Sequence, residues 1–163
     1  MTNLEVFESQ SAEIFKLLYT SFPVPLDLYF HQVTPGIRPV TIFNEPVEQP
    51  TNQDEFDAYY HSFDVFAQSE EYQINYTVFS ATVQWLSDSG YLKFGRAASY
   101  ESFDQVVLTA KGLEVLKCTP SSIDGSLSIG EKLQDEVVST GSDVARDMVR
   151  QLLREGLSFA LGA

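Results

Sequence analysis

Residues 91–116 read YLKFGRAASYESFDQVVLTAKGLEVL. Leu92 and Phe94 alternate with Lys93 and Gly95, and Val106 and Leu108 alternate with Gln105, Val107 and Thr109. A period of two turns one face of a strand inward, so these are two amphipathic strands, and the polar connection GRAASYESFD makes them a hairpin. Thr109 then caps a short helix, AKGLEVLKC, whose Leu113 and Leu116 face the core.

Working outward, the spacing predicts a helix over Thr77–Ser89, with Phe79, Val83 and Leu86 as its apolar row and Val78 and Trp85 beside it. Gly90 ends it as a left-handed terminal residue. Before it, QSEEYQIN reads as a polar turn. An earlier helix starts with Thr51 as cap and Asp54 three residues on; its stripe is Phe56, Tyr59, Tyr60, Phe63 and Phe66, with Asp54, Glu55, Asp57 and Asp64 toward solvent. Residues 4–20 form the first helix, which Pro23 and Pro25 end, and the apolar run 26–30 packs back on it. From His31 to Gln53 the prolines predict a long irregular connection with one short strand at Val40–Phe43.

The resulting order is helix, helix, turn, helix, strand, hairpin tip, strand, helix. WLSDSGYL followed by a hairpin that returns into VVLTAKGLEVL resembles the winged-helix regulators of the MarR and PadR type, over about residues 54–118. The resemblance implies an α+β, mainly helical fold: a winged helix-turn-helix core with a β-hairpin wing and extra terminal helices. The expected organisation is a winged-helix domain over 1–120 and a C-terminal helical arm over 121–163, after the small-residue linker SSIDGSLSIG. Helices are predicted at Leu127–Val138 and from Asp143 to about Leu161. The last carries an apolar stripe including Met148, Leu152 and Phe159, with Arg146, Arg150 and Arg154 on another face. The resemblance implies a dimer helix; the residues equally suit a helix packed on its own domain.

With 163 residues, 44% of them hydrophobic, the chain can bury a core. Its net charge is -13, and it is unevenly spread: up to Glu71 twelve acidic residues face only Lys16 and Arg38. A field of that sign repels phosphate and favours basic protein partners. No basic leader and no apolar run of membrane-spanning length occurs, so a cytoplasmic protein away from membranes is expected. The single cysteine, Cys118, reads as a small core residue.

For direct DNA reading the candidates are Gln84 on the groove-facing helix and Lys93, Arg96 and Lys111 on and after the hairpin. No Lys or Arg occurs between Tyr72 and Leu92, and Glu101 and Asp104 offset the hairpin's cations. Asp57, His61 and Asp64, at i, i+4 and i+7, share a helical face as metal ligands do, but an acidic solvent face explains them as well, so no metal is expected. No phosphate loop, nucleophile elbow or paired cysteines is present; neither an enzyme nor a cofactor is expected. Two expectations follow. One is a non-enzymatic module for protein–protein interaction through the acidic face of Asp54, Asp57 and Asp64, alone or as a homodimer. The other is a dimeric transcriptional regulator.

Overall fold

A computed structural model describes residues 1–34, 51–118, 127–135 and 142–160; the side chains of residues 59, 60, 62–66, 159 and 160 lie outside that description. The described chain is α+β and mainly helical. Its elements run α1 (Asn3–Ser21), β1 (Leu26–Tyr29), α2 (Phe30–Val33), α3 (Gln53–Ala67), α4 (Glu70–Asp88), β2 (Leu92–Lys93), β3 (Arg96–Ser99), β4 (Ser102–Leu108), α5 (Ala110–Lys117), α6 (Ile129–Asp135) and α7 (Asp143–Ala160). No described helix is long and apolar enough to cross a membrane.

Thr2 caps α1 in a capping box with Glu5, and the helix turns Ala12, Ile14, Phe15 and Leu18 into the core. The run at 26–30, expected only to pack back, instead forms β1, because Leu26 and Leu28 alternate with Asp27 and Tyr29. β1 pairs antiparallel with β4, and β4 pairs on its other side first with β3 and then with β2. The predicted strand at Val40–Phe43 lies outside the described residues.

Helix α4 begins at Glu70 rather than Thr77, because Ser69 accepts a hydrogen bond from the Tyr72 N–H and the acidic pair Glu70–Glu71 suits a helix N-terminus. The cap of α3 is Asn52, not Thr51. The Asn52 side chain accepts from the Glu55 N–H at 2.9 Å, while the Glu55 carboxylate accepts from both the N–H and the hydroxyl of Thr51.

Both strands of the hairpin run further than the sequence predicts. Arg96 faces Asp104 and Ser99 faces Ser102, so the tip is only Tyr100–Glu101. Leu26 faces Val106 while Leu28 faces Phe103, so β4 carries an extra residue there; Gln105 adopts φ 57 in that bulge and its N–H donates to Asp27 at 3.0 Å.

One apolar core joins these layers. It takes Phe15 and Leu18 from α1, Phe79, Val83 and Leu86 from α4, Phe103, Val106 and Leu108 from β4, and Val115 and Leu116 from α5. The C-terminal helices enter the same core through Ile129 and Leu133 of α6 and Ala145, Met148, Val149 and Leu152 of α7.

Candidate interaction surfaces

The segment LTAKG is where the hairpin is joined to α4. Helix α4 ends in a Schellman arrangement: Gly90 has φ 82, its N–H donates to the Ser87 carbonyl and the Tyr91 N–H donates to the Leu86 carbonyl. The next helix seizes this end. The Thr109 hydroxyl donates to the Gly90 carbonyl and caps α5 by accepting from the Gly112 N–H. Lys111 Nζ donates to the Ser89 carbonyl at 2.8 Å and lies 4.4 Å from the centre of the Tyr91 ring. A Cβ on Gly112 would stand 2.0 Å from the Tyr91 oxygen, so only glycine lets α5 come this close.

This joint decides what the candidate DNA contacts can do. Lys111 is engaged within the chain, cancelling the exposed carbonyl dipoles at the end of α4. Arg96 donates from both Nε and Nη2 to one carboxylate oxygen of Asp104, the residue opposite it in the ladder. Gln84 is exposed, but its amide donates to Asp88 at 3.0 Å, which sets a carboxylate beside the group that would read a base. Lys93 is exposed on β2.

The acidic face on α3 is differently disposed. Asp54 and Asp57 are both exposed, and Asp57 accepts from Gln53 at 2.8 Å. Hydrogen bonds from Thr51, its N–H foremost, hold the Glu55 carboxyl below its ordinary range. The side chain of Asp64 lies outside the described residues, and Phe56, expected in the core, is 43% exposed. Among the described residues no group of His, Cys, Asp and Glu side chains is placed to hold a metal ion.

Helix α7 lies along α1. Arg150 grips the buried Glu8 with two parallel bonds, Nε to one oxygen at 2.8 Å and Nη2 to the other at 2.9 Å, and its Nη1 reaches Asp147. One turn earlier Arg146 pairs with Glu5 at 3.0 Å and with Asp143. The Thr2 N–H and Arg146 together pull the Glu5 carboxyl down to about 2. Of the side chains expected to form a dimer stripe, Met148 and Leu152 face their own core, and that of Phe159 lies outside the described residues. The apolar row of α7 finds the core of its own chain, and the pairs of Arg146 and Arg150 with Glu5 and Glu8 suit that orientation.

Cys118 sits half-buried against the edge of the core, and burial, with Glu155 and Glu114 nearby, pushes its thiol up, away from a nucleophile's range. Between the first turns of α1 and α4 an open groove of about 410 Å³ is lined by Met1, Val6, Glu70, Glu71, Ile74 and Asn75.

Sequence reasoning missed one cluster. Phe30 meets Tyr72 and Tyr76 edge-on, at centroid distances of 5.6 and 5.7 Å, while those two rings stack on each other at 6.1 Å. The Phe30 N–H donates to the Glu101 carbonyl at 2.8 Å, which brings the hairpin tip to these rings. Tyr29 and His31 stack beside Phe30 in the chain. The only local signal is the four-residue spacing of Tyr72, inside the segment read as a polar turn, and Tyr76, which directly follows it. Comparison with family models, curated proteins and solved structures gives no match to this chain.

Proposed function

We propose that the chain is a non-enzymatic winged-helix module that holds a basic protein partner on its acidic surface. The element order supports the winged-helix reading: helix α1, strand β1, helices α3 and α4, then a hairpin whose strand β4 also pairs with β1. The observation that carries the function is the state of the charges. Of the three candidate DNA-contacting cations, Arg96 and Lys111 are tied to Asp104 and the Ser89 carbonyl and Lys93 stands exposed, whereas Asp54 and Asp57 are exposed on α3. A carboxylate beside Arg96 offsets that residue's share of the attraction that counterion release would supply.

A dimeric DNA-binding regulator is the second reading. In its favour are Lys93 and the Arg96 side chain, 76% exposed despite its partner. Titrating the protein at low salt against random duplex DNA and against a basic peptide separates the two. The first reading expects micromolar binding of the peptide, weakening with salt and with Asp54→Lys and Asp57→Lys, and no shift of the duplex. Duplex binding abolished by Lys93→Glu with Arg96→Glu would overturn it.

A further inference from the structure

We infer that the hairpin tip and the first half of α4 form a site for an arginine side chain of that basic partner, built from Tyr76, Tyr100 and the Glu101 carboxylate, with Tyr72 behind them. This deepens the acidic-surface reading and rests on it.

The site is assembled from three elements. Phe30, 4% exposed, anchors the stacked Tyr72 and Tyr76 rings from below, leaving both partly open to solvent. The tip is held in place independently of its side chains: Glu101 donates its N–H to Ser99 at 3.1 Å and its carbonyl accepts from Phe30 at 2.8 Å. The Ser99 and Ser102 hydroxyls close the turn at 3.0 Å. Tyr100 is then 73% exposed, the most exposed of the large apolar side chains among the described residues, on the turn that these bonds close.

The electrostatics agree with this geometry. Burial foremost, then the Glu101 charge, push both the Tyr72 and Tyr76 phenols up, and Tyr100 adds to the effect on Tyr76. The neutral phenols therefore lie within the negative potential of the Glu101 carboxylate. Such a region takes a cation. Aromatic faces and a carboxylate together favour guanidinium over ammonium, because guanidinium is planar, weakly hydrated and able to stack on a ring while it bonds both carboxylate oxygens. The net charge of -13 brings basic segments to the site from a distance.

The test compares an arginine-rich and a lysine-rich peptide of equal length and charge, with affinities measured by calorimetry on the full chain. The arginine peptide is expected to bind about threefold more tightly or better. Tyr100→Ala and Glu101→Gln should each remove that preference, weakening the arginine peptide by about 2- to 5-fold while the lysine peptide changes little. Tyr100 is exposed and Glu101 holds the fold through its backbone, so neither change disturbs folding; unchanged circular dichroism checks this. Equal affinities for the two peptides, unaffected by Tyr100→Ala but reduced by Asp57→Lys, would overturn the arginine site and leave the acidic-surface reading standing. If neither peptide binds, both fail.

Discussion

At Gly112 an added methyl group would lie 2.0 Å from the Tyr91 carbonyl oxygen, and at Gly90 it would force a side chain into φ 82. Both glycines serve the same joint, between α4 and α5. Gly112→Ala must push two backbones apart and is expected to cost about 3 kcal/mol, measured by urea denaturation. Gly90→Ala would meet only Lys111 Cδ, at an ordinary 3.8 Å, and carries only the left-handed penalty, about 1–2 kcal/mol. A Gly112→Ala loss no larger than that of Gly90→Ala would show that the joint is looser than described. The reverse change is informative at Gln105, whose φ of 57 suits glycine. Relief of about 1–2 kcal/mol there competes with about 0.5–1 kcal/mol of extra unfolded-chain freedom, so Gln105→Gly should leave stability level or raise it slightly. Glu13 is a different kind of strain. It is 7% exposed, its Oε1 has no hydrogen-bond partner, and burial raises its carboxyl above the ordinary value although Lys16 opposes this. An acid with a raised pKa destabilises the fold in its charged form, at pH above that pKa, and the penalty fades as pH falls and the proton binds. Glu13→Gln should therefore raise the melting temperature at pH 7 by about 2–4 °C, roughly 1 kcal/mol, with a smaller gain near pH 4. A gain that does not shrink with falling pH would sink the idea.

Between elements, the seam of α1 and α7 makes the firmest predictions. Arg150→Ala leaves the Glu8 carboxylate, 4% exposed, without its fork, and about 2 kcal/mol of stability should be lost; Arg150 is itself 47% exposed, so the full cost of a buried broken pair does not apply. Arg150→Ala in a Glu8→Gln background should cost clearly less, and equal losses in both backgrounds would deny the coupling. Glu5 gives the seam an acid limit. Its folded value of about 2 lies below the ordinary 4.5, so its contribution is complete above about pH 4.5 and disappears as pH falls toward 2. Thermal melts of Glu5→Gln against the unaltered chain should differ at pH 7 and converge near pH 2. Much of this level could be read from local pattern: α1, the hairpin, the Thr109 cap, the Gly90 stop and α7 all follow from periodicity or capping chemistry. What could not be read depends on distance in sequence. Met148 and Leu152 show a stripe suited equally to a partner or to their own core, and the choice lies in Glu5 and Glu8, which the stripe does not contain. β1 was hidden because four residues beside two prolines give too short an alternation, and it becomes a strand only by pairing with β4. The Tyr76–Tyr100–Glu101 site is illegible for the same reason, since the hydrogen bond from Phe30 to Glu101 is what brings its parts together.

For the molecule as a whole, the shared core means that the last helix is structural. Removing residues 142–163 would take Met148, Val149 and Leu152 out of the core, about 1.5–3 kcal/mol each, a sum comparable with the entire stability of an ordinary domain. Such a truncation should lose cooperative unfolding, whereas a well-folded shortened monomer would mean that α7 is an appendage after all. The same packing sets a timetable. Glu8 and Arg150 stand 142 residues apart, so at roughly 5–20 residues per second a nascent chain carries a completed α1, its ionised side chains waiting, for on the order of ten seconds before the helix that covers them is made. During synthesis the first helix has no lasting neighbour on that side, and the seam cannot close until α7 has followed.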